Sequence, residues 1–319
     1  MKFKHTVNVL IDNFGVTFKL LVYHLIILAV TIGLSAAIIV PLFNGLENVS
    51  AYTELMEDIS NMLSEIIKGE VNGLAGHFEA ISTSFNNLLA YLAEHPSDLI
   101  LSAVGMVIVI LIRSFLVTIG NYTAGCLISD KMAMQANSPF AATMIKNLGK
   151  ASLYSVIYVP ISFIYNAVCV GALYIVVFIA LSFLPIMICI FLFIVFMILL
   201  TGLKMMLVAD WMPALISGKK KMGDAMAYSI ARESGGSGAV YSFFASSSVL
   251  ILALNSLGFV GTFGAAIIIT IPLSYIYLLC YQFVNYCDNN NIKYFTDKRT
   301  IVKPEHEKET SRQQFLRGE

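Results

Sequence analysis

Residues 20–43 decide the fold class, because they read LLVYHLIILAVTIGLSAAIIVPLF without an Asp, Glu, Lys or Arg. About twenty apolar residues in a helix cross the hydrocarbon core of a bilayer. Five further apolar stretches follow, and they are residues 99–120, 151–178, 186–209, 239–257 and 263–283. Residues 151–212 are long enough for three spans, but Pro185 lies where two long spans would turn. The sequence therefore predicts six membrane spans.

The composition also indicates a membrane protein. Of the 319 residues, 58% are hydrophobic and 13% are charged, whereas soluble domains contain roughly 45–50% and 25%. A water-soluble fold has too little interior to bury that excess. The formal net charge is zero, so no global field favours nucleic acid, and we expect no nucleic-acid partner.

Charge is divided unequally between the polar segments. Residues 45–98 carry nine acids against one base, Lys68, while seventeen of the twenty Lys and Arg residues lie in four other polar segments. Cytoplasmic loops of membrane proteins accumulate Lys and Arg. The pattern therefore predicts that residues 45–98 lie on the extracytoplasmic side of the cell membrane and that both termini are cytoplasmic.

The predicted organisation is an all-α, polytopic membrane helical bundle with interfacial amphipathic helices. Its parts are a cytoplasmic amphipathic helix (1–19), a first transmembrane helix (20–44), an extracytoplasmic acidic helical hairpin (45–98), the other five transmembrane helices (99–285) and a disordered cytoplasmic tail (286–319). Within the first part, residues 7–19 have the amphipathic pattern, and residues 139–150 and 221–233 show it before later spans.

The predicted hairpin contains a heptad pattern. Leu74, Phe78, Ile81, Phe85, Leu88 and Leu92 follow a 4-3-4-3-4 spacing, which is typical of a seam between packed helices. A shorter run of Leu55, Ile59, Met62 and Ile66 precedes them, and Gly69, Gly73 and Gly76 separate the two runs. Because two helices alone bury little, we expect the seam also to contact the membrane surface, the transmembrane mouth, a protein partner or a second copy.

Two bases interrupt the predicted spans. Arg113 lies in the second span and Lys204 in the fourth, and charges within a membrane are costly and often functional. Each base is about 10 Å from the predicted cytoplasmic end of its helix, a depth that a long side chain can cover by extending toward water. Asp210, at a similar depth, is a candidate partner for either base. The three residues are therefore either structural or part of a polar site.

The sequence contains no recognisable catalytic or metal-binding pattern. Its five histidines lack the i, i+4 spacing of a zinc helix, and the spans hold no paired carboxylates and no Ser/His set. The glycine-rich residues 234–238 lack the Gly-Lys-Ser/Thr of a phosphate loop, and we interpret them as a linker. We therefore expect no enzyme activity, no cofactor and no metal.

Residues 210–213 read DWMP, which we interpret as an interfacial anchor because indole favours the headgroup level and proline ends a helix. Pro213, a basic turn and residues 224–229, which read DAMAYS, resemble a run found after a membrane span in uncharacterised bacterial multi-pass families. These include the membrane domain fused to some glycerophosphodiester phosphodiesterases. The resemblance implies a bacterial inner membrane and no defined activity, and nothing in the chain resembles a phosphodiesterase catalytic domain.

Three functional hypotheses follow. The first is a non-catalytic scaffold or accessory subunit, embedded in membrane lipids and acting through the outer hairpin. The alternative is a transporter or channel with a polar site near Arg113, Lys204 and Asp210. A lipid-modifying enzyme is a third reading, and it lacks the residues that such chemistry requires.

Overall fold

The structure is a computed structural model that describes residues 2–47, 49–68, 74–94, 96–135, 138–181, 183–217, 220–230, 234–262, 264–297 and 300–303. Within these ranges, six helical stretches are long and apolar enough to cross a membrane. They are Phe14–Leu46, Ile100–Met132, Phe140–Leu181, Ile188–Ile216, Gly236–Thr262 and Ile267–Asn289. The prediction of an all-α, multi-pass membrane protein is confirmed.

Helices account for nearly all of the described residues. The elements are α1 (Lys2–Asp12), α2 (Phe14–Leu46), α3 (Ser50–Lys68), α4 (Leu74–Glu94), α5 (Pro96–Met132), α6 (Phe140–Leu181), α7 (Ile186–Val208), α8 (Trp211–Ile216), α9 (Met222–Ile230), α10 (Ser234–Thr262), α11 (Ile267–Asn289), β1 (Tyr294–Phe295) and β2 (Ile301–Val302). The two strands pair in antiparallel fashion, with Tyr294 opposite Val302.

The long helices expose apolar side chains along much of their length. On α6, for example, Ile164 and Val168 are 62% and 65% exposed. Lipid tails are as apolar as these side chains, so a bilayer covers such faces without loss. Membrane lipids are therefore contacts of this chain.

The first amphipathic helix is shorter than the sequence predicted. Residues 7–19 were expected to form one helix before the membrane, but α1 ends at Asp12 and α2 begins at Phe14. Asn13 lies at the break, buried, and its side-chain amide donates a hydrogen bond to the Val9 carbonyl at 2.9 Å. Asparagine commonly interrupts helices in this way, because its side chain competes with the backbone for hydrogen bonds.

The other two amphipathic stretches differ from each other. Residues 140–150 form no separate helix, since α6 runs without a break from Phe140 to Leu181. In contrast, α9 is a separate short helix from Met222 to Ile230. Lys219, in the basic turn before α9, lies outside the described residues, as do residues 231–233. Residues 234–238, interpreted as a linker from the sequence, form the first turn of α10.

The chain divides into two compact units. The first, which we call the terminal unit, comprises residues 1–25 and 115–319. The second, the hairpin unit, comprises residues 26–114. Helices α2 and α5 contribute residues to both units.

Close helix packing in the terminal unit depends on small residues. A Cβ added to Gly125 on α5 would lie 2.9 Å from the Met212 sulfur on α8 and 3.3 Å from the Phe283 ring on α11. Glycine therefore lets both helices approach α5. The centre of α11 is fully buried in this unit, as shown by Ile276 and Val284 at 0% exposure.

The chain stays packed beyond the last span. The sequence predicted a disordered tail from Tyr286, but α11 continues to Asn289 and the two strands follow it. Tyr294 is 2% exposed, its hydroxyl donates to Asp288 Oδ1 at 2.9 Å, and it lies 3.0 Å from the His5 ring on α1. Residues 304–319 of the predicted tail lie outside the described residues.

The hairpin unit contains the predicted pair of packed helices, α3 and α4. The Ser84 hydroxyl donates to Asp58 Oδ2 at 2.5 Å, and His77 Nε2 lies 2.8 Å from Glu65 Oε2. Asp58 contacts Ser84, and Glu65, further along α3, contacts His77, which is nearer the start of α4. The two helices are therefore antiparallel. Gly76 lies within α4, whereas Gly69 and Gly73 lie outside the described residues.

Candidate functional site

The three charged residues predicted to form a polar site fall in different units. Arg113 belongs to the hairpin unit, whereas Lys204 and Asp210 belong to the terminal unit. Arg113 has an exposed side chain and borders a groove of about 510 Å³ between α2 and α5. Thr31 and Ser35 contribute hydroxyl groups to the same groove.

Lys204 has a polar partner inside the terminal unit. Its Nζ donates a hydrogen bond to Asn166 Oδ1 on α6, at 3.0 Å. The sequence had suggested Asp210 as a partner, and among the described residues no carboxylate lies within 4.0 Å of Lys204 Nζ. Asp210 is fully buried between α7 and α8, and its backbone carbonyl accepts a hydrogen bond from the Ala214 amide.

A cavity of about 230 Å³ lies beside Lys204. Tyr158, Ser162 and Tyr165 on α6, Lys204 on α7 and Trp211 on α8 border it, and the surface of the cavity is apolar. The Tyr165 hydroxyl is engaged, since it donates to the Leu200 carbonyl at 2.8 Å. We call this cavity the Lys204 pocket.

Trp211 forms one wall of the Lys204 pocket. Its side chain is 4% exposed, and its indole Nε1 has no hydrogen-bond acceptor among the described residues. A buried indole N–H normally finds a partner, and the surface that surrounds this cavity is apolar. The sequence-based interpretation as an interfacial anchor did not predict this wall, because it assumed an indole at the headgroup level.

Aromatic packing holds Trp211 in position. Its ring meets the Tyr158 ring edge to face, with centroids 6.5 Å apart, and Tyr158 stacks on Tyr154 at 5.4 Å. Tyr122 on α5 continues the row, 5.7 Å from Tyr154. The pocket wall is therefore anchored through three helices and is preformed.

A short helix closes another side of the Lys204 pocket. Met226 on α9 lines the cavity, and Ser229, one turn later, donates a hydrogen bond to the Leu207 carbonyl on α7. This bond fixes α9 against the end of α7. Tyr154, Tyr158 and Ser162 recur every four residues and so share one helix face, and Tyr158 and Ser162 line the cavity.

The predicted heptad seam divides into buried and exposed members. Ile81, Leu88 and Leu92 pack in one cluster with Leu46 and Leu55. In contrast, Phe78 and Phe85 are 62% and 49% exposed. The side chain of Leu74, the first seam residue, lies outside the described residues.

The exposed seam members belong to one of two apolar rows on the surface of the hairpin. On α4, Phe78 and Phe85 are joined by Leu89. On α3, Met56, Leu63 and Ile67 line a surface groove of about 420 Å³, whose floor includes Ser60 and Ser64. Acidic side chains on these helices are exposed next to both rows, for example Glu57 and Glu79. We call these two rows the outer apolar rows.

Metal binding finds no support in the described part of the chain. No group of three or more His, Cys, Asp or Glu side chains among those residues is placed to hold a metal ion.

Comparison of the chain with known protein families, curated proteins and solved structures gave no match.

Proposed function

We propose that this protein is a non-catalytic scaffold or accessory subunit of a bacterial inner membrane. The acidic hairpin of α3 and α4 lies on the extracytoplasmic side, both termini are cytoplasmic, and the hairpin binds a partner protein. The distribution of Lys and Arg over the polar segments supports this orientation.

The proposal rests on the exposure of the outer apolar rows. The contact between α3 and α4 buries Leu55 and Leu88, so the hairpin already has its own core. Phe78, Phe85 and Leu89 add large apolar side chains that this core does not use. Aromatic residues exposed in such rows are the usual anchors of protein interfaces.

The charge of the hairpin favours a different protein over a second copy. The described residues from Glu47 to Glu94 carry seven acids, namely Glu47, Glu54, Glu57, Asp58, Glu65, Glu79 and Glu94, against the single base Lys68. A second copy would bring these acids against one another, and like charges at an interface are costly. The partner that fits is an apolar helix flanked by Lys and Arg.

The test uses the full-length protein in its own membrane. A photo-crosslinking amino acid replaces Phe85 in one preparation and Asn87 in another, since Asn87 is exposed on the opposite face of α4. We expect a crosslink to one other protein from position 85 and none from position 87. That partner, once purified, should bind wild-type protein and fail to bind Phe85→Asp, while Asn87→Asp binds normally. Crosslinking to a second copy, or equal crosslinking at both positions, would overturn the proposal.

A transporter or channel is the second candidate function. The observation that favours it is the hydrogen bond of Lys204 to Asn166, between two membrane-spanning helices and beside a cavity. Arg113 lies in a different unit and borders its own groove. Proteoliposomes loaded with labelled monocarboxylates should show flux that Lys204→Gln removes. Flux that survives both Lys204→Gln and Arg113→Gln would eliminate a path using either base.

A further inference from the structure

We propose that the groove between α2 and α5 binds a transmembrane helix of a partner protein, and that an Asp or Glu of this helix pairs with Arg113. The groove belongs to the hairpin unit, as do the outer apolar rows, but its walls are membrane-spanning helices. The inference rests on the proposed function in one respect, since it requires a protein partner. It adds a contact inside the membrane that has a different chemistry.

Arg113 has no counter-ion among the residues that the structure describes. No carboxylate oxygen of those residues lies within 4.0 Å of its guanidinium group, and no hydrogen bond joins it to them. A charge within a membrane helix is normally paired or faces water. The side chain of Arg113 is exposed and borders a groove that has polar as well as apolar surface. Its charge is therefore available to a group that enters the groove.

Helices α2 and α5 run antiparallel along the groove. Residues 28–40 of α2 line this groove with residues 106–113 of α5. A neighbouring cavity is lined by residues 37–46 of α2 and residues 101–105 of α5. Residue numbers therefore rise along α2 as they fall along α5, and the level of any residue of α5 can be read on α2.

This register places Arg113 near the middle of the membrane span. A Cβ added to Gly105 would lie 3.0 Å from the Ile38 side chain, so these two residues are level. Eight residues further along α5, Arg113 is level with residue 30 of α2. In the apolar stretch 20–43, residue 30 is about 15 Å from the start and about 20 Å from the end.

This depth is greater than the sequence-based distance of about 10 Å. That distance assumed that the span ends at residue 120, but α5 continues to Met132 and carries no charged residue from 114 to 129. Arg113 is therefore farther from water than the length of its own apolar stretch indicates.

The depth of Arg113 favours a helix over a lipid as the source of negative charge. Acidic headgroups lie at the edge of a hydrocarbon core about 30 Å thick, so they are about 15 Å from its centre. An acyl chain reaches the centre but carries no charge there. A protein helix can carry a carboxylate at this depth, because its backbone hydrogen bonds are satisfied internally across the bilayer.

The acidic residue must come from a different protein. The six apolar stretches of this chain contain no Asp or Glu. In the described spans, Asp130 and Asp288 lie within two residues of the ends of α5 and α11, and Asp210 is fully buried. A second copy therefore offers no carboxylate at the depth of Arg113, and charge complementarity selects a partner with an acid inside its span.

The shape of the groove fits one face of a helix. Its α2 wall runs from Leu28 to Val40, which is about 18 Å or just over three helical turns. Thr31 and Ser35 lie one turn apart on this wall, and Ala36 follows Ser35. Small side chains at such spacing let membrane helices approach closely. The wall is therefore suited to helix packing, and Arg113 supplies the specificity.

The alternative is that lipid tails fill the groove and that Arg113 extends toward the headgroups. Both interpretations account for the absence of a described counter-ion. They differ in what contacts the groove, because lipid tails contact every exposed face of α5 equally. They also differ in the effect of charge reversal, since only a paired helix can compensate for it.

The experiment maps contacts of the full-length protein in its own membrane. A photo-crosslinking amino acid replaces Ile110, which lines the groove and is 46% exposed. The matched control position is Ile108, which is 51% exposed and lies on another face of α5. We expect an adduct with one other protein from position 110 and none from position 108. Mass spectrometry of the adduct should locate an Asp or Glu near the middle of the crosslinked span.

Substitutions of Arg113 test the charge pair directly. Arg113→Met should lower the yield of the adduct at position 110 by about tenfold or more, because the partner's carboxylate would be left unpaired. Arg113→Lys keeps the charge and should retain the adduct. The matched control is Lys68→Met, which removes the other base of the hairpin unit. An unchanged elution profile in detergent identifies variants that have folded.

Charge reversal provides a readout that a purely structural arginine would not affect. Arg113→Glu should abolish the adduct at position 110. Replacement of the partner's acidic residue by Arg should then restore the adduct with the Arg113→Glu protein. Failure of the reversed pair to restore it would contradict the pairing.

Four further outcomes would overturn the inference. They are no protein adduct at position 110, an adduct with a second copy, equal adducts at positions 108 and 110, and an unchanged yield in folded Arg113→Met. The proposed function fails separately. An adduct at position 85 without one at position 110 removes the groove contact and leaves the hairpin interface. An adduct at position 110 without one at position 85 does the reverse.

Discussion

A Cβ placed on Gly202 of α7 would lie 3.3 Å from the backbone of Ala245 on α10. The two helices therefore cross closely, and the only side-chain groups at the contact are the hydrogen atom of Gly202 and the methyl group of Ala245. Small residues at helix crossings allow the close approach by which membrane helices associate. This crossing helps to pack α7, which carries Lys204, against the rest of the terminal unit.

Gly202→Leu should destabilise the terminal unit. The added side chain must enter a space already filled by the Ala245 backbone, and overpacking of this kind costs about 1–3 kcal/mol. We expect a lower midpoint of thermal unfolding in detergent. Gly171→Leu is the control, because a Cβ at Gly171 on α6 would meet nothing within 4 Å. Equal stability of the two variants would show that the crossing is looser than the structure indicates.

Tyr294→Phe should weaken the attachment of α1 to the end of α11. The Tyr294 hydroxyl lies within hydrogen-bond distance of both His5 and Asp288, and a lost hydrogen bond in a buried position costs about 1–3 kcal/mol. Hydrogen exchange should become faster in peptides from α1. Tyr174→Phe, at a side chain that is 70% exposed on α6, should leave exchange unchanged.

The same tyrosine gives an alkaline pH dependence. Burial and then the nearby Asp288 carboxylate raise the pKa of Tyr294 well above its usual value near 10. The folded protein keeps the proton where the unfolded chain loses it, so the stabilising effect is complete below about pH 10 and is lost as the pH rises beyond it. Between about pH 9 and pH 11, the unfolding temperature should fall more in wild type than in Tyr294→Phe. Parallel curves would contradict the assignment.

The membrane spans were predictable from the sequence because a long apolar run has few alternatives to a membrane helix. Residues 20–43 and 151–178 both lie inside continuous helices.

The partner of Lys204 was not predictable in this way. Asp210 is close in sequence, but it follows the end of α7 at Val208 and is fully buried between α7 and α8. Asn166, on another helix, is the residue that the packing brings to it.

Tertiary packing also determined features that the heptad spacing and the local composition did not predict. The heptad spacing placed Phe85 and Leu88 in one seam, yet Leu88 is buried against α3 and Phe85 is half exposed. A seam pattern specifies a helix face about two residues wide, and a single partner helix covers only part of it. The polar composition after Tyr286 suggested disorder, but α1 and the end of α11 provide an interior for Tyr294.

Leu88→Ala should destabilise the α3/α4 hairpin, whereas Leu89→Ala should not. Leu88 is 8% exposed and packs with Leu46 and Leu55, while Leu89, its neighbour in sequence, is 47% exposed. Truncation of a buried leucine removes transfer free energy and leaves a cavity, for a loss of about 2–5 kcal/mol. An exposed leucine loses neither contribution in full. The measurement is hydrogen exchange of the full-length protein, followed in peptides from both helices.

The neighbouring substitutions also distinguish the hairpin core from its binding surface. Leu89 belongs to the outer apolar rows, so Leu89→Ala should leave exchange in the isolated protein unchanged and weaken binding of the partner. Leu88→Ala should increase exchange in α3 and α4 whether or not a partner is present. Faster exchange in Leu89→Ala to the same degree as in Leu88→Ala would mean that both side chains stabilise the fold. In that case the outer apolar rows would be part of the hairpin core rather than an interface.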